Sequence, residues 1–113
     1  MLVTPLFQNV PIVVLTSRYT ISAGEVFAAG MQSLKRARVV GTPSAGSTNS
    51  TKRYNFSDKS TLWLTYRSFH LLDGTSIQGH GVQPDRVVEP KWDVFGTMDD
   101  PQIQAALEEL KKK

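Results

Sequence analysis

Pro11-Ile12-Val13-Val14-Leu15-Thr16 is an unbroken run of apolar, mostly β-branched residues. A run of this kind offers water no polar face, so it predicts a strand covered on both sides, as in a parallel sheet. A helix signature follows after a short turn at Ser17–Ile21. Ser22 and Glu25 have the Ser-x-x-Glu spacing of a capping box, and Val26, Phe27, Gly30, Met31 and Leu34 recur at helical intervals. Lys35 and Arg36 suit the negative end of the helix dipole. Arg38-Val39-Val40-Gly41 is a second buried-type run. Strand, helix and strand in this order predict a right-handed βαβ crossover, with Val10–Thr16 and Ala37–Gly41 adjacent in one sheet. Val14, Phe27, Met31 and Val40 are the expected core between helix and sheet.

Beyond Gly41 the pattern changes. Thr42–Ser50 is small and polar, as a loop is. Lys52–Phe56 and Ser60–Phe69 alternate and carry Tyr54, Phe56, Leu62, Leu64 and Tyr66, with Ser57-Asp58-Lys59 as the turn of a hairpin. Ile77–Asp85, rich in glycine and proline, reads as irregular, and Arg86–Glu89 as a short strand. Asp99-Asp100-Pro101 places an acidic cap and a first-turn proline ahead of a last helix, whose buried face would be Ile103, Ala106, Leu107 and Leu110. The fold class is therefore α/β: a βαβ unit with a parallel-strand core, a β-ribbon and a C-terminal helix.

The chain of 113 residues is long enough for one domain with a real core, and residues 1–113 are read as that single domain. Its net charge of +3 owes much to the Lys111-Lys112-Lys113 tail, and no basic stripe interleaved with aromatics points to nucleic acid. The absence of cysteine excludes disulfides, thiolate metal sites and a cysteine nucleophile. No apolar run is long enough to span a bilayer. No His/Asp/Glu cluster has metal-ligand spacing, and no cofactor is implied.

Ser22 is the residue best placed for chemistry. A serine that follows a buried strand and opens a helix projects its hydroxyl from a sharp bend. The free N–H groups of the first helical turn, beginning with Ala23, could hold a developing oxyanion. Ser-x-x-Glu is equally a common helix cap, and from the local pattern alone the cap is the commoner explanation. His70 and His80 are candidate general bases, with His80 set among glycines in Gln78-Gly79-His80-Gly81; each also reads as an ordinary surface histidine. Asp58, Asp73 and Asp85 are explained by turn bonding. Gly41-x-x-x-x-Gly46-Ser47 lacks the lysine of a phosphate loop.

The ordered motifs are more specific than any single residue. Pro11-Ile12-Val13-Val14-Leu15, Ser22-Ala23-Gly24-Glu25 and Arg36-Ala37-Arg38-Val39-Val40-Gly41 come first. Gly74-Thr75-Ser76-Ile77-Gln78-Gly79-His80-Gly81-Val82-Gln83-Pro84-Asp85 and the helix from Asp100 to Leu110 complete the series. From Pro11 to Asp85, and more loosely to Leu110, the chain resembles the C-terminal part of the catalytic domain of the carboxy-terminal processing (tail-specific) serine peptidases. The resemblance implies a crotonase/Clp-peptidase-like fold, Ser22 as nucleophile and the Ala23 amide in the oxyanion hole. Many members carry the general-base lysine in a Gly-Lys-Gly segment, where this chain has Gly46-Ser47-Thr48. Lys52, Gln78 and His80 are the auxiliary candidates. A tricorn-like branch takes its histidine from an upstream segment and carries a glutamate near the place of Gln78.

The resulting expectation is a serine endopeptidase acting on polypeptides near their C-termini, in which this chain is an incomplete fragment that lacks an upstream part and a PDZ module. On its own the fragment would be poorly active. The resemblance also implies an exported, periplasmic location in a bacterium. A non-catalytic binding or assembly module with a degenerate peptidase fold is the alternative, and a crotonase-like acyl-transfer or hydratase enzyme is a further rival. A homo-oligomer is expected to cover the apolar faces of Tyr54–Phe56, Leu62–Tyr66 and Met1–Phe7.

Overall fold

The computed structural model describes residues 8–112; the Met1–Phe7 segment lies outside them. The elements in order are β1 (Val13–Thr16), α1 (Ala23–Ser33), β2 (Arg38–Gly41), β3 (Ser50–Asn55), β4 (Thr61–Arg67), β5 (Arg86–Val87), a 3₁₀ turn (Trp92–Val94) and α2 (Pro101–Lys111). β1 and β2 pair in parallel with Val14 opposite Val39 and Leu15 opposite Val40, and β5 adds to the other side of β2, also parallel. The expected βαβ unit is present, and its first strand is shorter than the apolar run that announced it. β3 and β4 form a separate antiparallel ribbon.

The core joins α1, β2 and the irregular 69–82 stretch: Ala28, Ala29, Val39, Ile77 and Val82, with Val14, Phe69 and Leu71 packed against them. Val40, on the other face of the sheet, is also fully buried. Phe27, expected in this core, is 58% exposed, and Leu34 is 67% exposed beyond the helix end. The buried residues of α1 are Glu25, Ala28 and Ala29. The small side chains of Ala28 and Ala29 let the helix lie close to the sheet, so the larger apolar stripe is rotated out of the interface. Met31 is only half-buried. In α2 the same offset recurs: Gln102, Ala105 and Glu109 are buried, while Ile103, Ala106, Leu107 and Leu110 are half-buried.

Both polar residues buried in α2 are partnered, as burial requires. The Gln102 amide donates to the Val88 carbonyl at 2.8 Å. Glu109 receives Lys112 at 2.5 Å, Arg86 at 3.4 Å and Arg38 at 3.6 Å. The Lys112 hydrogen bond leads the interactions that hold its carboxyl below the ordinary range. The helix starts as its sequence predicts, with Pro101 in the first turn and the Asp100 carboxylate accepting from the Gln102 N–H at 2.8 Å.

Asp85 closes the sheet. Its carboxylate accepts from the Val39 N–H at 2.7 Å and its own N–H donates to the Val39 carbonyl at 2.8 Å, fixing β5 beside β2. At Gly41, φ is +128° and an added Cβ would stand 2.1 Å from the Thr16 carbonyl oxygen, so only glycine fits where the end of β2 pairs with the end of β1.

Candidate active site

After β1 the chain bends through Ser17–Ile21. The Thr20 N–H donates to the Ser17 carbonyl at 2.8 Å, and the Ser17 N–H returns a bond to Thr20 Oγ1 at 3.0 Å. The bend delivers Ser22 with φ +53° and ψ −118°. A non-glycine residue there carries strain on the order of 1–3 kcal/mol and persists only where its surroundings over-determine it. Here they do: the Ser22 N–H is shared between the Ser47 carbonyl at 3.0 Å and Glu25 Oε2 at 3.1 Å.

Ser22 and Glu25 thus keep the reciprocal capping-box arrangement of the first turn. The Glu25 N–H is spent on the Ser22 carbonyl at 3.0 Å, and the Ser22 hydroxyl makes no cap hydrogen bond. The N–H groups of Gly24 and Val26 are likewise spent, on Ile21 and Ser22 carbonyls, whereas that of Ala23 has no acceptor among the described residues. Ser22 and Ala23 are both exposed. An accessible hydroxyl beside a free N–H at the positive end of a helix is the pairing that acyl transfer requires.

Glu25 is the hub of the site. It is fully buried, and its carboxylate accepts from the Ser44 hydroxyl at 2.6 Å, the Gly46 N–H at 2.6 Å and the Ser47 N–H at 2.8 Å, besides Ser22. Burial pushes the carboxyl up. The four hydrogen bonds, from Ser44, Gly46, Ser47 and Ser22, together outweigh it and hold the group below the ordinary carboxylate range. Glu25 therefore fastens the Ser22 turn to the 44–47 loop as a charged acceptor. The sequence read it only as a capping residue. The signal that could have found its larger role is the donor-rich Ser44-x-Gly46-Ser47 segment, which needs an acceptor.

Gln78 holds the other end of the same loop, its Oε1 accepting from the Thr48 N–H at 2.8 Å, Thr48 Oγ1 at 3.2 Å and the Asn49 N–H at 2.9 Å. His80 contributes backbone. A Cβ on Gly46, at φ +75°, would stand 2.7 Å from the His80 nitrogen, so the two loops interlock through glycine. The His80 imidazole is exposed and has no hydrogen bond to Ser22. Lys52 lies on β3 with its ammonium 5.5 Å from the centre of the Tyr54 ring. The structure thus brings Ser22, Ala23, Glu25 and, through the loop, Gln78 together, and pairs neither Lys52 nor His80 with the hydroxyl. Among the described residues no group of three or more His, Cys, Asp or Glu could hold a metal ion.

A family model described as Peptidase family S41 matches residues 4–88. The chain is 38% identical over 79 residues to a carboxy-terminal-processing protease of Bartonella bacilliformis, covering 70% of this chain and 18% of that protein. Among solved structures, a photosystem II D1 C-terminal processing protease is similar with a TM-score of 0.62 and 32% identity, covering 70% of this chain and 20% of the other. A tricorn protease is similar with a TM-score of 0.69 and 27% identity, covering 90% and 11% respectively. The chain spans 18% and 24% of the length of the first two curated relatives it matches.

Proposed function

The chain belongs to peptidase family S41, and from that premise we propose that it is the nucleophile-bearing, C-terminal portion of a serine endopeptidase catalytic domain of the C-terminal-processing type. The observation that carries this reading is the backbone of Ser22. A serine at φ +53° on a strand-to-helix bend, its N–H bonded twice and its hydroxyl making no cap hydrogen bond, suits a nucleophile. Ser22 Oγ attacks the scissile carbonyl, the Ala23 N–H stabilises the oxyanion, and collapse of the intermediate leaves an ester on Ser22 while the amine departs with a proton. Water then hydrolyses the ester. The base that takes and returns the proton lies, in this reading, outside the described residues, which agrees with the greater length of the relatives.

Glu25 acts through Ser22 as a positioning residue, and Gln78 steadies the loop that Glu25 holds. The fold is assigned to the crotonase/Clp-peptidase type, and polypeptides are the substrate class. A homo-oligomer that covers the exposed ribbon completes the assembly. An exported, periplasmic location in a bacterium is the remaining part of the proposal. It is in keeping with the bacterial source of the relatives, and no helix among the described residues is long and apolar enough to cross a membrane.

The replacement of the family's Gly-Lys-Gly by Gly46-Ser47-Thr48 favours one rival, a binding module that retains the fold without catalysis. Peptidase activity on an unfolded protein, measured on the protein at its native length, decides between them. Ser22→Ala is expected to abolish cleavage while changing stability by about 1 kcal/mol or less. Cleavage at an unchanged rate in the alanine variant would reduce Ser22 to a structural residue.

A further inference from the structure

The loops that leave the carboxyl ends of β1, β2 and β5 border an open, solvent-facing cavity of about 380 Å³. This end of a parallel sheet is where open α/β folds place ligands. The cavity is walled by Tyr19, Pro43, Pro90 and Trp92, with Arg18 and Glu89 also in its lining. The aromatic wall is built rather than incidental. Tyr19 and Trp92 meet edge to face with centroids 6.1 Å apart, and Trp92 in turn packs on Phe95 at 5.4 Å. Arg18 is held in place by its neighbour, its guanidinium 4.9 Å from the Tyr19 ring centre and Nη2 2.9 Å from the Tyr19 hydroxyl. Neither Arg18 nor Glu89 forms an ion pair among the described residues.

We infer that this cavity is a subsite for polypeptide, taking a bulky apolar or aromatic side chain against Tyr19 and Trp92 while the adjoining main chain lies between Arg18 and Glu89. The charge arrangement selects this occupant. A cation and an anion, neither in an ion pair among the described residues, suit a peptide unit, which offers a carbonyl to the first and an N–H to the second; a simple anion or cation would meet one of them as a like charge. The volume falls near the lower end of the roughly 300–1,000 Å³ range of ligand pockets, so it admits one or two residues.

The cavity is coupled to Ser22. Tyr19 precedes Ser22 by three residues, a span of at most about 11 Å of extended chain. The two walls are also locked together beside it, by the Ala45 N–H on the Thr20 carbonyl at 3.1 Å and the Ser22 N–H on the Ser47 carbonyl at 3.0 Å. The binding claim stands on the cavity alone. Its being a subsite of the reaction rests on Ser22 as nucleophile.

The test uses Trp92 as reporter, with Trp63 of the ribbon replaced (Trp63→Phe). Unstructured decapeptides identical except for a central Phe or Ala are titrated against Trp92 emission. Saturable binding is expected, about tenfold or more tighter for Phe, from the apolar area its ring buries. Tyr19→Ala, at a residue already 64% exposed, should remove the preference without unfolding the chain. Ser22→Ala should leave it intact. No saturable signal, equal binding of the two peptides, or an unchanged preference in Tyr19→Ala would overturn the site. In the protein at its native length, the Phe peptide should also protect Ser22 from a fluorophosphonate label in step with occupancy. Labelling of Ser22 at an undiminished rate with the cavity saturated would overturn the subsite assignment while leaving the nucleophile standing. Binding without any labelling of Ser22 would leave the cavity standing and remove the peptidase reading.

Discussion

In the β1–α1–β2 half of the molecule Val39 and Val40 have no solvent exposure, while on the β3–β4 ribbon Leu62, Leu64 and Tyr66 are exposed by 42, 48 and 57%. Both regions were announced by apolar periodicity, and only one has a partner for it. Register makes the ribbon two-faced: Tyr54 lies opposite Leu62 and Lys52 opposite Leu64, while Arg53 lies opposite Trp63 and Asn55 opposite Thr61. One face is therefore mostly apolar and the other mostly polar, as in a sheet covered on one side. A lone two-stranded ribbon is marginal in water. The Cα radius of gyration, 17.5 Å against about 13 Å for a compact chain of this length, fits a ribbon standing away from the core. Alternation in a strand thus identifies the face to be covered and leaves open what covers it.

The largest effect that would sharpen this contrast is at Glu25. Glu25→Ala strands the donors of Ser22, Ser44, Gly46 and Ser47 in the buried half and should cost about 3 kcal/mol, measured as a shift in the urea midpoint. Because the folded pKa of Glu25 is lowered, its ionised form contributes fully above the ordinary carboxylate range, and that contribution is lost as pH falls through the folded value. The stability gap between the original chain and Glu25→Gln should therefore stay constant above the ordinary carboxylate range and narrow as pH falls through and below it. A gap that widened toward acid would contradict the hub assignment.

A smaller effect of opposite sign belongs to Ser22. Glycine tolerates φ +53°, so Ser22→Gly should raise stability by about 1 kcal/mol while removing the hydroxyl that the proposed reaction uses. Were Ser22 a cap, glycine would lower stability by a few tenths of a kcal/mol, so the direction of the melting shift separates the two roles.

The smallest effect is expected on the ribbon. Leu62→Ser or Leu64→Ser should change the stability of the monomer by no more than about 0.5 kcal/mol, since neither side chain is buried. The same substitutions should weaken self-association in sedimentation, as the proposed oligomer buries this face. A loss of 2 kcal/mol or more in a chain that sediments as monomer would break the comparison, because the ribbon would then belong to the core.

The order β1, α1, β2, the Asp100–Pro101 helix start and the hairpin around Ser57–Lys59 are all legible in the sequence. So is the position of Ser22 at a strand-to-helix bend. Each of these rests on neighbours within a few residues, where propensity, capping and turn chemistry act. The helix faces were not legible. Phe27 and Leu34 are the larger apolar residues of their stretch, and Ala28 and Ala29 are the ones buried, because close approach of helix to sheet rewards small side chains.

By itself, then, the sequence determined the elements, their order and the serine that opens α1, because short-range stereochemistry and period decide these. Only the tertiary structure decided that Glu25 serves as a buried acceptor for a loop some twenty residues away, as its bonds to Ser44, Gly46 and Ser47 make plain. It alone decided that the Ser22 hydroxyl makes no cap hydrogen bond. A buried charge is stable only where several donors converge on it, and no local pattern records which distant segment will bring them.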